Sequence, residues 1–188
     1  MSRDARLTPF SYLILALVGR NGAGPHDIVR MMREGATFWT TSESHIYAEP
    51  KRLAKLGYLT AEKQPGRTRE RTHYQLTDRG RSALVTWLAE PAPMPRVQNE
   101  AATKLLAADF ADDATILASL RALRAELNDR YRDLETAERR AQEIPHRTRY
   151  LRLLDELARR TLDTQREWLD QVENELQAPS NRGDAPSS

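Results

Sequence analysis

From Glu90 to Gln98 the chain reads EPAPMPRVQ, and Pro91, Pro93 and Pro95 place three prolines in five positions. Each ring removes a backbone donor and clashes with the carbonyl four residues back, at about 3 kcal/mol in a helix interior. No helix crosses this stretch, so the 188 residues divide into two parts with different patterns. Residues 7–90 are expected to form one domain, 91–98 a proline-rich linker and 99–177 a helical domain. The last stretch, APSNRGDAPSS at 178–188, is too polar to pack and is expected to be a disordered tail.

Before the prolines the period changes twice. Thr8 caps a helix with Pro9 at its first position, and Phe10, Leu13, Ile14 and Leu17 follow at helical spacing as far as Gly19. RNGAGP reads as a turn. A second helix starts at Pro25 and carries Ile28, Met31 and Met32 towards Gly35. Thr41 or Ser42 caps a third, with Ile46, Pro50, Leu53 and Leu56 or Gly57 on one side and Ser44, Tyr47, Lys51 and Lys55 on the other. Pro50 lies about two turns past the cap, so a bend rather than an end is expected there. A strand at Tyr58–Thr60, a turn within EKQPGRTRE and a strand with Thr72, Tyr74 and Leu76 on one face make a hairpin. Thr77 then caps a fourth helix holding Leu84, Val85, Trp87 and Leu88.

Beyond the prolines only helical spacing remains: a short piece at 99–110, a break at Asp112–Asp113, a long helix from about 113 to 142 and another after Pro145. Apolar residues recur in steps of three and four at 116, 120, 123, 127, 131 and 134, then at 151, 154, 158, 162, 169, 172 and 176, with Gln165 the one polar member of the second series. Such steps suit a coiled-coil-like seam. The first helix would reach about 43 Å, more than one small domain covers, so part of the seam is expected to meet a second subunit. The residues assigned to that dimer contact are Leu120, Leu123, Leu127, Tyr131, Leu134, Leu151, Leu154, Leu162, Trp168, Leu169, Val172 and Leu176.

The fold class expected is mainly α with a small β-hairpin: an N-terminal winged helix-turn-helix, whose third helix enters a DNA groove, and a C-terminal long-helix dimerisation domain. Overall charge is nearly balanced, with 29 Lys and Arg against 27 Asp and Glu, but it is not evenly spread. Between Thr41 and Arg81 nine basic residues face five acids, a local surplus larger than the net +2 of the whole chain. Arg67, Arg69 and Arg71 alternate near the hairpin tip and would point to one side of an extended segment, as a row of phosphate contacts. Ser42, Ser44 and His45 sit where recognition-helix side chains reach base edges, although a serine there also serves as a cap. Lys51, Arg52 and Lys55 suit the phosphate backbone better than the bases.

Other classes find little support. With no cysteine, disulfides, thiolate metal sites and a thiol nucleophile are excluded. His26, His45, His73 and His146 form no metal-binding pair at ligand spacing, and no cofactor is expected. GRNGAG follows a helix rather than a strand and lacks the lysine of a nucleotide loop. No nucleophile motif appears, so an enzyme is not expected. The N-terminal stretch has no signal-peptide core and no apolar run spans a bilayer, which points to a cytoplasmic protein without membrane contact. Trp39, Trp87, Trp168, Phe38 and Phe110 are aromatic candidates for an effector pocket, with core packing as the commoner role.

SYLILALV, HDIVRMM, SHIYAEPKRLAKLGYL and RTHYQLTDRGRSALVTWLAEP, together with TQREWLDQVENEL near the end, resemble the PadR family of bacterial transcriptional regulators, in the subgroup with an extended C-terminal helical region. The resemblance implies a homodimer on a palindromic double-stranded operator, usually acting as a repressor. It also implies a place near a DNA phosphate for Tyr47. The chain departs from it at Pro25-His26, where many relatives carry glycine and tyrosine, and at Pro50, which comes later than the family's proline. The rival expectation from the residues themselves is a helical protein-protein interaction module without specific DNA binding.

Overall fold

Thr8 and Ser11 open the first helix with a reciprocal capping box: the Ser11 amide donates to Thr8 Oγ1 at 3.2 Å and the Thr8 amide to Ser11 Oγ at 2.9 Å. The computed structural model describes residues 6–65 and 71–178 and divides between Met94 and Pro95 into two compact units. In the first, α1 (Pro9–Val18), α2 (Pro25–Glu34) and α3 (Glu43–Lys55) are followed by β1 (Leu59–Gln64), β2 (Arg71–Leu76) and α4 (Asp78–Leu88). Ile14, Leu15 and Val18 of α1 meet Ile28 and Met32 of α2, Ile46 and Leu53 of α3, Leu59 and Tyr74 in one core. Full burial stabilises by about 1.5–3 kcal/mol for each large aliphatic side chain.

α3 runs unbroken through Pro50, whose ring is fully buried on the face shared by Ile46 and Leu53. Packing of that ring into the core offsets the missing backbone donor. Ser42 occupies the cap position, but its hydroxyl makes no capping bond and pairs instead with Ser44 Oγ at 3.0 Å.

The hairpin differs from its expected outline. β1 extends to Gln64, through residues whose polarity suggested a turn, because an antiparallel partner satisfies their backbone whatever their side chains. Leu59 pairs with Leu76, Ala61 with Tyr74 and Lys63 with Thr72. A further pairing was not anticipated: Ala23, inside the RNGAGP turn, exchanges two 3.0 Å backbone bonds with Tyr74 and ties the α1–α2 connection to β2. Gly22 makes this possible with φ +74°, where an added Cβ would lie 2.3 Å from His73 Nε2 and 2.6 Å from the Tyr74 carbonyl.

The second unit holds α5 (Glu100–Leu106), a 3₁₀ turn at Ala108–Phe110, α6 (Asp113–Ala141) and α7 (Thr148–Gln177). α6 and α7 are antiparallel, as the pairs Arg124–Glu173, Tyr131–Asp163 and Arg159–Glu138 show. The residues assigned to a dimer contact take their places within the chain as follows. Leu120, Leu127, Leu134, Leu162, Leu169 and Val172 are buried in a core within the chain, and Leu123, Tyr131, Trp168 and Leu176 pack around it. Leu151 is half-buried, and of the twelve assigned residues only Leu154 is exposed. A heptad-like seam specifies that helices pair, not whose helices they are, and a short turn brings α7 onto α6 at small entropic cost. Among the described residues no helix is long and apolar enough to cross a membrane. The tail from 179 onward lies outside the described residues.

Candidate nucleic-acid interface

α3 has a core face and a solvent face, and the spacing of its residues sets both. Ile46, Glu49, Pro50 and Leu53 are buried, while Ser44, Ala48, Lys51 and Lys55 form an exposed stripe at steps of four, three and four. Neither lysine is ion-paired with another described residue. Acidic partners are absent from this stripe, so its C-terminal half is a free cationic edge at the negative end of the helix dipole.

Glu49 is the exception on the buried face, a carboxylate only 5% exposed. Its Oε1 accepts from Ser11 Oγ at 2.7 Å and from Arg52 Nη2 at 2.7 Å, and its Oε2 accepts from Arg52 Nε at 2.9 Å. Arg52 Nη2 also donates to Ser11 Oγ at 3.0 Å. Burial pushes the Glu49 carboxyl up, but the bonds from Arg52 and Ser11 outweigh it and hold the group below its usual range. This two-pronged pair fastens α3 to the capping box of α1. Arg52, expected among the phosphate contacts, is thus committed inside the protein. A polar residue on the apolar stripe of each helix, Ser11 between Phe10 and Ile14 and Glu49 between Ile46 and Leu53, was the available sequence signal.

At the N-terminal end of α3 the side chains are also engaged. The His45 ring lies tilted against Phe10 with centroids 4.5 Å apart, and its Nδ1 shares a 3.1 Å hydrogen bond with Thr41 Oγ1. Tyr47 meets His26 edge-on, its hydroxyl 3.5 Å from His26 Nδ1. Glu43 accepts from Arg33 of α2 at 2.5 Å. Ser42, Ser44, His45 and Tyr47 therefore gather on one end of α3, with hydroxyl and imidazole groups that can donate or accept.

The hairpin contributes Arg71, exposed at the start of β2. Arg67 and Arg69 lie outside the described residues. Two other basic residues of this region have structural roles: Arg79 donates to the Leu56 carbonyl at 2.8 Å and lies over the Tyr58 ring, and Arg81 bonds the Leu76 carbonyl and Asp78. Of the nine basic residues between Thr41 and Arg81, Lys51, Lys55 and Arg71 are thus exposed and make no side-chain hydrogen bond or ion pair with a described residue. Among the aromatic candidates, Trp87 stacks on Tyr12 at 4.8 Å, Trp39 on Phe10 at 6.0 Å, and Trp168 packs on the C-terminal core. Phe38 and Phe110 are exposed.

Comparison with known proteins agrees with this arrangement. Residues 14–86 match the Transcriptional regulator PadR-like family, and residues 97–177 match the Virulence activator alpha C-term family. The Negative transcriptional regulator PadR of Bacillus subtilis (strain 168) is 34% identical over 86 residues, 45% of this chain and 47% of that protein, so the aligned part spans about half of the curated relative. The crystal structure of Bacillus subtilis PadR in complex with operator DNA has the same fold, at TM-score 0.69 and 22% identity over 91% of this chain and 97% of that one. The same protein solved with p-coumaric acid gives 0.60 at 22% identity over 89% and 96%. smu.1604c from Streptococcus mutans UA159 gives 0.75 at 15% identity over 88% and 97%. Element order, the buried and exposed faces of α3 and the matched residues lead to one statement: residues 14–86 of this chain are a PadR-like family domain.

Proposed function

We propose that this protein is a homodimeric DNA-binding transcriptional repressor of the cytoplasm that reads a palindromic operator, with α3 in the major groove and the hairpin on the neighbouring phosphates. The observation that carries this reading is the exposed Ser44, Ala48, Lys51 and Lys55 stripe on a helix whose other face is locked into the core. Ser42, Ser44 and His45 at its N-terminal end are the candidates for base edges. Tyr47, Lys51, Lys55 and Arg71 are the candidates for phosphate, and Arg67 and Arg69 extend that set on sequence grounds alone. Arg52 takes no part in DNA binding and instead holds α3 at its angle. The family is one of transcriptional regulators rather than enzymes. A structural relative has been solved with operator DNA and with p-coumaric acid, which supports duplex binding and the binding of a small-molecule effector.

A second copy is best received by the face of α7 that its own chain leaves open. Tyr150, Leu153, Leu154 and Leu157 are 62%, 56%, 49% and 53% exposed and follow one another at helical-face spacing. A contiguous apolar stripe of this kind marks a contact surface, and it replaces the internal seam as the proposed dimer contact.

Fragments selected from genomic DNA by the full-length protein test the reading, with affinity measured across a salt series. Lys51→Ala, Lys55→Ala and Arg71→Ala should each lower the salt slope by about one, because each removes a single cation from the phosphates. Unchanged slopes in all three, or a dimer with no salt-sensitive duplex binding, would instead favour a protein-protein interaction module.

A further inference from the structure

α5 and the 3₁₀ turn behind it carry two apolar sides, and the chain itself covers only one. Ala101, Leu105 and Ala108 pack on the core of the α6–α7 hairpin, whereas Leu106 and Phe110 are 85% and 89% exposed. Asp109, beside Phe110, is exposed and makes no ion pair with a described residue. Asp112, also exposed, follows as the cap of α6. This bare edge is apolar and acidic.

The open stripe of α7 has the opposite charge. Arg149 and Arg152 share the turns that carry Tyr150, Leu153, Leu154 and Leu157, and both are exposed without an ion pair to a described residue. Of the acids near them, Glu156 is paired with Arg160 at 2.7 Å, Asp155 is half-buried and Glu143 belongs to the connection before α7. Complementary charge around two apolar surfaces favours their meeting and disfavours each meeting its own kind.

Their positions within the C-terminal unit match too. Leu154, Leu157, Thr161 and Gln165 follow at steps of three, four and four along one side of α7, and Gln165 lies beside Glu100, Ala101 and Lys104 of α5. α5 and the stripe therefore share one face of the hairpin. They occupy opposite ends of it, because the stripe opens α7 whereas Phe110 just precedes α6, a helix of 29 residues that spans about 43 Å. One chain cannot bring its own two patches together. Two chains lying antiparallel across this face, related by a two-fold axis, bring them together twice.

We infer that the α7 stripe of each subunit is covered by the α5 edge of a second copy, with Leu106 and Phe110 on Tyr150, Leu153, Leu154 and Leu157, and Asp109 towards Arg149 and Arg152. The inference rests on the homodimer reading above and deepens it by fixing which surfaces meet. Stripe against stripe would gather the arginines of both chains at one contact and leave Phe110 bare.

Because the chain has no cysteine, cross-linking reads the pairing directly. Full-length Phe110→Cys and Leu154→Cys chains, with tags of different size, are co-expressed and treated with a short bis-maleimide. Both positions are exposed, and circular dichroism checks that helix content is kept. The mixed pair should link, and neither chain should link to its own kind. Asp109→Lys should weaken self-association about tenfold, by setting like charges across the contact, and Arg149→Glu with Arg152→Glu in the same chain should restore it. A dimer by light scattering in which the mixed pair stays unlinked, or in which Leu154→Cys chains link to each other, would overturn this inference and leave the homodimer standing. Unchanged association of Asp109→Lys would overturn it also. A wild-type protein that is monomeric throughout a concentration series would remove the homodimer reading and this inference together.

Discussion

Glu49 and Arg52 form a two-pronged ion pair across one turn of α3, at 2.7 and 2.9 Å, with Ser11 of α1 bonded to both. The pair is one-sided: Glu49 is buried, whereas about a third of the Arg52 side chain is exposed. Removing Arg52 strands a carboxylate in the core, while removing a lysine from the opposite face strands nothing. Arg52→Ala is therefore expected to cost about 3 kcal/mol, the low end for breaking a buried pair. Lys51→Ala should stay within about 0.5 kcal/mol of wild type. Urea melts of the two variants check the contrast, and equal stability would show that Arg52 is not holding α3.

The same pair predicts acid sensitivity. Glu49 is held below its ordinary value by Arg52 and Ser11 against the opposing effect of burial. A depressed carboxyl pKa contributes stability above the unfolded value of about 4.3 and loses it as pH falls through the lower folded value. Wild type should exceed Glu49→Gln in stability near neutral pH. That advantage should shrink below about pH 4, as chemical denaturation at a series of pH values would show. A difference independent of pH would remove the carboxylate from the explanation.

Gly22 is expected to resist substitution more than its position in a loop suggests. An alanine there takes a left-handed backbone at roughly 1–2 kcal/mol. Its Cβ also approaches the His73 ring and the Tyr74 carbonyl, so the bridge between Ala23 and Tyr74 must shift. Gly22→Ala should lower stability by about 2 kcal/mol or more and speed amide exchange at Tyr74, whose N–H donates to Ala23. Normal protection at Tyr74 would count against the bridge.

Self-association should depend on the open face of α7 rather than on the seam. Leu154→Glu combined with Leu157→Glu is expected to leave helix content unchanged and to give a monomer by light scattering, because both side chains are exposed within the chain. Leu162→Ala and Leu169→Ala should instead lower stability by about 2–5 kcal/mol each, as buried leucines do. A double Glu variant that stays dimeric would move the interface elsewhere.

Much of this molecule was legible in its residues alone. Thr8-Pro9, Pro25 and Thr77 marked helix starts that α1, α2 and α4 share, and Asp112 caps α6 with a 2.7 Å bond to the Thr115 amide. The two faces of α3 followed from spacing, because a helix repeats every 3.6 residues wherever it lies. Local stereochemistry and periodicity belong to the chain itself, so the order of elements and the exposed lysine stripe were readable from it.

Partnership was not. Nothing in the spacing of Leu120, Leu127, Leu162 and Leu169 says whether α6 finds α7 of its own chain or of another, and only the folded connection at 142–147 decides it. Arg52 and Lys51 are neighbours with the same charge in sequence, yet one is spent on Glu49 and the other faces solvent, because α1 lies against one side of α3 and not the other. The chain's own residues determined which segments are helical and which faces are apolar. Tertiary packing determined what each face meets, since a contact requires two surfaces and a linear pattern describes only one.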